Sequence, residues 1–449
     1  MRLRHVIALL ALPVAVSAQR PATVQMTLEE ALTVAARQQP DLRTAEANLR
    51  YAVAGTQAAK AGYLPQLTVE TDMRYNAIIP TSVLPGNALN PSGDPNKLTP
   101  IKFNTAWNNT VGLRLIQPIY DPSKLVAINN GRTASDLAIA QEKRIRADQE
   151  ESIARAWFDL LLDRAKLTYA EQDFDRAGGN ATLIGDRLKE GRALDNDLAD
   201  AHLRVRTAAL EKERIEQDIL TAQVNLSSIM GYDTLVLVDP KERLMDVPAL
   251  RDSSWMREDD APDAAESRPE LAEQKVNLQI SNLQLDSKRA DRLPKLNFEG
   301  FLGANHFNST FNPFQNWYGN SFLGLSLRWP LFRGGATRYE IDQAVIQTEQ
   351  QTNAIRKLRQ QYYYELVNSR RALTYQWKLV RLQRERIAIR EERLGLVKSR
   401  LQEGRATAQD LLEEETQLLR EQDALYQQLH DFLTARLAYN KARGRQTLR

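Results

Sequence analysis

The chain has 449 residues, 26% charged and 43% hydrophobic, and its 60 Lys and Arg against 57 Asp and Glu leave a formal charge of +3. So even a balance gives no electrostatic footprint for nucleic acid, and the absence of cysteine excludes disulfides, a thiol nucleophile and a thiol-linked lipid anchor. His202, His306 and His430 stand in separate segments, and there is no glycine-rich phosphate loop or Gly-x-Ser-x-Gly elbow, so no metal, cofactor or enzymatic activity is expected.

Residues 1–18 read as a secretory signal peptide: Arg2, Arg4 and His5, an apolar run from Val6 to Val16, then the small-residue site Val16-Ser17-Ala18. No later apolar stretch approaches ~20 residues, so any entry into a membrane must be made by strands.

The remainder is written twice, as repeat 1 over 19–250 and repeat 2 over 251–449. Pro40-Asp41-Leu42 returns as Pro269-Glu270-Leu271, and Leu64-Pro65-Gln66-Leu67 as Leu293-Pro294-Lys295-Leu296, both at an offset of 229 residues. Leu113 to Tyr120 returns as Leu325 to Phe332 at 212, and Arg187-Leu188-Lys189-Glu190-Gly191-Arg192-Ala193 as Arg400-Leu401-Gln402-Glu403-Gly404-Arg405-Ala406 at 213. Order and spacing hold across all four landmarks, which marks an internal duplication. The offset falls by 17 between the second and third, so repeat 1 carries the longer loop there.

In chain order, Thr27-Leu28-Glu29-Glu30 is a capping box that opens a helix to about Gly62, with Pro40 as a kink or break. A strand pair follows at about 66–118. Leu67, Val69, Thr71, Met73 and Tyr75 alternate with Thr68, Glu70, Asp72 and Arg74, and Val111, Leu113 and Leu115 alternate with Gly112 and Arg114. A long helical hairpin then runs over about 123–230, interrupted by Gly178-Gly179 and turning at Gly191. Repeat 2 has a helix from about Asp263 to Arg292 and a strand pair at about 295–330 joined by a loop from His306 to Trp317. Its long hairpin, at about 334–443, turns at Gly404.

No proline occurs between Pro122 and Pro240 or after Pro330, leaving runs of 117 and 119 residues rich in helix formers. About 70 residues before Gly404 would make roughly 105 Å of helix. After it, Leu411, Leu418, Leu425 and Phe432 lie beside Leu412, Leu419, Tyr426 and Leu433 in two heptad rows. Such paired rows suit a helix with neighbours on both sides.

Four strands with one apolar and one polar face do not close alone, since the smallest membrane barrels use about eight. An open sheet in lipid leaves edge groups unpaired at several kcal/mol each, so either several chains pool their strands or the sheet is an ordinary soluble one packed on helices.

Thr27-Leu28-Glu29-Glu30-Ala31-Leu32, Pro40-Asp41-Leu42, Gly62-Tyr63-Leu64-Pro65-Gln66-Leu67 and Pro330-Leu331-Phe332-Arg333-Gly334-Gly335 together resemble the outer membrane efflux proteins related to TolC. The resemblance implies an α+β membrane protein in which a homotrimer builds a 12-stranded outer-membrane β-barrel on a periplasmic α-helical barrel. It implies a passive exit duct of a tripartite efflux or type I secretion system. The implied partners are a periplasmic adaptor (membrane fusion protein), an inner-membrane pump of RND or ABC type, and outer-membrane lipid.

By the same resemblance the tips of the two hairpins meet the adaptor, through Gly191, Arg192, Leu194 and Leu198 in repeat 1 and Gly404, Arg405 and Leu411 in repeat 2. Gly ending a helix and Asp opening the next would equally explain these residues as turn chemistry. Asp410, Glu413 and Asp197 fall where the family narrows its aperture, and threefold symmetry would make each a ring of three carboxylates. Ala406 and Leu401 replace the basic and tyrosine positions of that family's tip lock, leaving Arg192 or Arg405 as substitute links to Asp197. A soluble periplasmic coiled-coil adaptor or scaffold is the alternative reading, and an autonomous porin is a weaker third, since four strands per chain are too few and the helical runs would have no role. The residues do not name the cargo.

Overall fold

A computed structural model describes residues 22–88, 91–92, 94–257, 266–312, 314–315, 317–403 and 405–445; the signal peptide and Gly404 lie outside the described residues. In chain order the elements of repeat 1 are β1 (Ala22–Met26), α1 (Leu28–Gln38), α2 (Pro40–Ala61), β2 (Gln66–Tyr75), β3 (Ser82–Pro85), β4 (Leu98–Ile101), β5 (Trp107–Tyr120), α3 (Pro122–Lys189), α4 (Asp195–Met230) and β6 (Val236–Pro240). Repeat 2 supplies α5 (Pro269–Ala290), β7 (Lys295–Asn308), β8 (Trp317–Arg328), α6 (Ala336–Gln402) and α7 (Ala408–Ala442). These elements form two compact units, one of Met1–Thr44, Glu142–Pro269 and Arg359–Arg449, the other of Ala45–Gln141 and Glu270–Leu358.

The second of these units holds an antiparallel sheet in the order β2-β5-β7-β8. Its register aligns Val69 with Leu113, and Leu113 with Leu302, on one face. With Leu67, Leu323, Leu325 and Leu327 this face stays exposed, Leu302 at 65% and Leu323 at 76%. The opposite face carries Glu70, Asp72, Arg74 and Arg114, with Arg114 Nε 2.7 Å from Glu70 Oε1. The helices that continue the strands follow the same order. Gly131 of α3 presses on Thr56 of α2, Gln141 of α3 donates to Glu273 of α5 at 3.2 Å, and Lys288 of α5 pairs with Glu340 of α6 at 3.6 Å. Strands β2 and β8 are the sheet's open edges.

Three expectations change in this unit. Phe301, an apolar residue on the Arg114 side of a sheet expected to have one polar face, is buried because its ring covers the glycine pair Gly112 and Gly303. His306, expected to open a loop, lies inside β7 opposite Trp317. There it faces Asn109 Nδ2 through Nδ1 at 3.1 Å and donates from Nε2 to the Asn312 carbonyl at 2.7 Å. The long loop of repeat 1 holds a small antiparallel arm of β3 and β4, which takes up its extra length. Aromatic side chains gather at this loop-bearing end of the sheet: Tyr75 on Trp107 at 4.9 Å, Trp107 on Phe311 at 4.8 Å and His306 on Trp317 at 5.3 Å.

The other unit is helical, built on a core that includes Trp157, Phe158, Leu161, Leu366, Leu373, Phe432, Leu433 and Tyr439. The capping box at Thr27 forms as read, and the helix breaks at Gln39 before Pro40. Parallel pairing of β1 with β6 was not anticipated, since five-residue strands leave too short a period to read. Arg436 of α7 holds the segment after β6, donating to the carbonyls of Ala249 and Asp252, both at 2.7 Å, and to the Asp252 carboxylate.

Two helix boundaries are corrected. Helix α3 runs unbroken for 68 residues through Gly178-Gly179, where an interruption was expected. Each glycine costs only about 1 kcal/mol against alanine, too little to stop a ladder that long. Helix α5 starts at Pro269 rather than near Asp263, itself outside the described residues. Proline at the first position fits a helix start, and the residue before it resists helical backbone. That residue, Arg268, is buried over the Tyr362 ring at 3.7 Å and paired with Glu365 at 2.8 Å.

Ion pairs set the order of the long helices here. Arg204 of α4 meets Asp173 of α3 at 3.7 Å, Lys441 of α7 meets Glu151 of α3 at 2.6 Å, and Arg393 of α6 meets Glu414 of α7 at 2.9 Å. The row is therefore α4-α3-α7-α6. Helix α7 has neighbours on both sides, as its double heptad row implied, and α4 and α6 lie outermost.

Both outer helices carry a second apolar row. On α4 the buried row is Ala201, Ala208 and Ile215, and the exposed one Leu203, Leu210 and Val224. On α6, Leu366, Leu373 and Val380 are buried, whereas Tyr375, Leu382, Ile389 and Leu396 are exposed. A displacement of two residues is about 200° around a helix, so each exposed row faces away from its own core.

Candidate functional site

The two hairpin tips repeat one construction. Helix α3 ends in a paired closure in which Gly191 N donates to Leu188 O at 2.9 Å and Arg192 N to Arg187 O at 2.7 Å. Gly191 takes φ of 70°, a left-handed conformation that glycine tolerates without strain. At the end of α6, Arg405 N donates to Arg400 O at 2.8 Å, matching the Arg192 bond across the duplication.

Helix α4 then opens with Leu194 N donating to Asp197 Oδ2 at 2.9 Å. Helix α7 opens with the fuller version: Thr407 N and Oγ1 both donate to Asp410 Oδ2 at 2.8 Å, and Asp410 N returns a bond to Thr407 Oγ1 at 3.2 Å. The backbone bond from Thr407, then its hydroxyl, hold the Asp410 carboxyl below the usual aspartate range. Both aspartates therefore have a structural task at the third helical position, where a carboxylate satisfies an orphan N–H and complements the helix dipole.

The expected link from Asp197 to Arg192 or Arg405 is not what these side chains make. Arg192 pairs with Glu190 at 3.2 Å and Arg405 with Glu403 at 3.1 Å, the same short pair at each tip. Asp197 is engaged by the Leu194 backbone instead. Gly191, Arg192, Leu194, Asp197, Arg405, Asp410 and Glu413 are exposed, Leu194 to 69%, while Leu198 and Leu411 are half-buried. The structure gathers the named residues of each repeat at its own tip.

Residue-by-residue reading missed the outward rows of α4 and α6. The seven-residue spacing of Tyr375, Leu382, Ile389 and Leu396 was the available signal. Among the described residues no cluster of three or more His, Asp or Glu is arranged to hold a metal, and no helix is long and apolar enough to cross a membrane.

The sequence profile of the outer membrane efflux proteins matches this chain twice, at residues 31–232 and 261–445, once for each repeat. The chain belongs to the outer membrane efflux protein family. It is similar to the outer membrane efflux protein BepC of Brucella suis, 22% identical over 95% of this chain and 87% of that protein. It also resembles the proteases secretion protein PrtF of Dickeya chrysanthemi, 25% identical over 57% of this chain and 55% of that protein. Its fold matches the solved outer membrane protein VceC of Vibrio cholerae with a TM-score of 0.68 at 16% identity, covering 94% of this chain and 97% of the other.

As an outer membrane efflux protein the chain is a channel component of the outer membrane with a large periplasmic part. The family is one of ducts, not of enzymes or soluble scaffolds. The exposed apolar face of β2, β5, β7 and β8 is the surface that such a location requires.

Proposed function

We propose that three copies of this chain form a passive exit duct for a tripartite efflux or type I secretion system. A periplasmic adaptor and an inner-membrane pump of RND or ABC type engage and open its periplasmic tips. The observation that carries the reading is the uncovered edges. In the sheet they are β2 of repeat 1 and β8 of repeat 2; in the helical unit they are α4 of repeat 1 and α6 of repeat 2. Every open edge of one copy thus has its complement in the opposite repeat of the next, a head-to-tail contact that closes into a ring.

Pooling four strands from each of three copies meets the minimum for a closed membrane barrel and leaves no unpaired edge in lipid. In the helical unit the outward row of α4 in one copy meets that of α6 in the next. Adaptor contact is assigned to Gly191, Arg192, Leu194, Leu198, Gly404, Arg405 and Leu411. Asp197, Asp410 and Glu413 are assigned to the aperture, with capping as a second duty for the two aspartates.

Native mass spectrometry of the protein extracted from membranes in mild detergent tests the assembly. Three copies per particle are expected. A monomer, or full recovery in the soluble periplasm, would sink the reading.

A further inference from the structure

The contact between α3 and α7 joins the two repeats inside one chain, because α3 belongs to the first helical hairpin and α7 to the second. His430 stands in that contact with its side chain 15% exposed. Its Nε2 lies 2.7 Å from Asp159 Oδ1 on α3, and its Nδ1 lies 3.2 Å from Asp431 Oδ1 on α7. Gln427 Nε2 donates to the same Asp431 oxygen at 2.9 Å, holding that carboxylate in place.

Ionised carboxylates only accept hydrogen bonds, whereas a neutral imidazole carries one donor and one acceptor. Both contacts are satisfied together only by the doubly protonated ring. The charges around it are chiefly acidic. Helix α3 contributes Asp159 and Asp163 and helix α7 contributes Asp431; Lys166 of α3 and Asp218 of α4 act on Asp163, and Lys166 also on Asp423 of α7.

We propose that His430 is a proton-operated clasp that fastens the first helical hairpin to the second. As an imidazolium it bridges Asp159 and Asp431 across the α3–α7 contact. On losing one proton it turns a lone pair toward one of the two carboxylates, and that side of the bridge becomes repulsive.

The surroundings favour the closed form. Burial alone would lower the His430 pKa, but the hydrogen bonds to Asp159 and Asp431 outweigh it and hold the ring above the ordinary histidine value. A raised histidine pKa gives stability that is complete below the unfolded value and is lost as pH rises through the folded one. Burial also raises Asp163 and Asp423, and the cost of their charged forms is relieved as pH falls through their folded values. All three groups tighten the contact on acidification, His430 in the window nearest neutrality.

Hydrogen–deuterium exchange of the full-length protein in detergent, at about pH 5.5 and about pH 8.5 and corrected for intrinsic rates, reads the clasp directly. In the unaltered protein, amides flanking Asp159 and His430 should lose protection several-fold at the higher pH, while those of the β1–β6 pair do not. His430→Gln should remove that pH dependence. In Asp159→Asn the amide oxygen still accepts from Nε2 but the charge is gone, so the transition should move to lower pH. Protection near His430 that is flat with pH, a His430→Gln variant as pH-dependent as the original, or an unmoved transition in Asp159→Asn would each overturn the proposal. Should His430→Gln fail to fold, the Asp159→Asn transition decides.

Discussion

The ring of Phe301 lies across Gly112, with its ζ carbon 2.5 Å from where a β-carbon on that glycine would stand. A β-carbon on Gly303 would meet the same atom at 2.8 Å, but the Val111 carbonyl oxygen and the Gly112 α carbon, the latter at 2.6 Å, stand nearer, so that glycine answers to the backbone of β5. Gly112→Ala must displace Phe301 and should cost about 1–3 kcal/mol through overpacking. Heat-modified electrophoresis should show a lower dissociation temperature. Combining Phe301→Ala with Gly112→Ala should cost less than the sum of the two single changes, because the nearest obstruction is gone and only the Leu302 carbonyl oxygen at 2.8 Å remains. If the double variant were less stable than the sum of the single changes, the ring would not be the reason for the glycine.

Ile389 sits in the outward row of α6 and is 64% exposed within one chain. Ile389→Glu should therefore leave the folding of a single copy nearly intact and weaken the joint between copies, by about 2 kcal/mol if the row is buried there. Semi-native electrophoresis should show a smaller trimer fraction, with Ile389→Val unchanged. An undiminished trimer fraction for Ile389→Glu would remove α6 from the joint.

The shared bonds of Thr407 and Asp410 allow capping to be separated from the aperture. Thr407→Val removes the two hydroxyl bonds and keeps the carboxylate with its bond from the residue 407 backbone, whereas Asp410→Ala removes the carboxylate and both bonds it accepts and leaves the 410 N–H on the Thr407 hydroxyl. If Asp410 narrows the aperture, Asp410→Ala should raise single-channel conductance in planar bilayers and Thr407→Val should leave it near the original. Equal increases in the two variants would make the cap the whole story. Asp197→Ala is expected to raise conductance as well, and no change there would exclude Asp197 from closing the tip.

Lys441 and Glu151 give a pH dependence of opposite sense to that of His430. Burial pushes the Glu151 carboxyl up, but hydrogen bonding and charge from Lys441, aided by Arg155, bring it below the usual glutamate value. A lowered carboxylate pKa gives stability present above the unfolded value and lost as pH falls through the folded one. Lys441→Met should therefore lower thermal stability at neutral pH, and the deficit should shrink as pH drops below the ordinary glutamate range. Scanning calorimetry over that range checks it, and a deficit constant with pH would rule the pair out as its source.

The architecture was legible because duplication, alternation and heptad spacing each repeat over many residues. Val69 and Leu113 show the sheet's apolar face by period alone, and Gly191 marks the turn of the first hairpin. The local partners were not legible. Nothing in the run around Asp197 says that it will bond Leu194 rather than an arginine, since i to i+3 capping competes with every cation in reach. His430 carries no motif because its partner Asp159 is 271 residues away and enters only through the packing of α3 on α7. Gly178 and Gly179 misled because propensity, a local quantity, was set against a helix held by packing along its length.

Opposite edges on one chain have a genetic consequence. A copy with a damaged α6 row still presents a sound α4 row, so in the proposed ring it can enter and spoil the joint on its other side. With equal amounts of intact and damaged chains, only about one ring in eight would be built wholly of intact copies if all were incorporated alike. An allele damaged at one edge should therefore be dominant over the intact gene, whereas one damaged at both edges should be excluded from assembly and recessive.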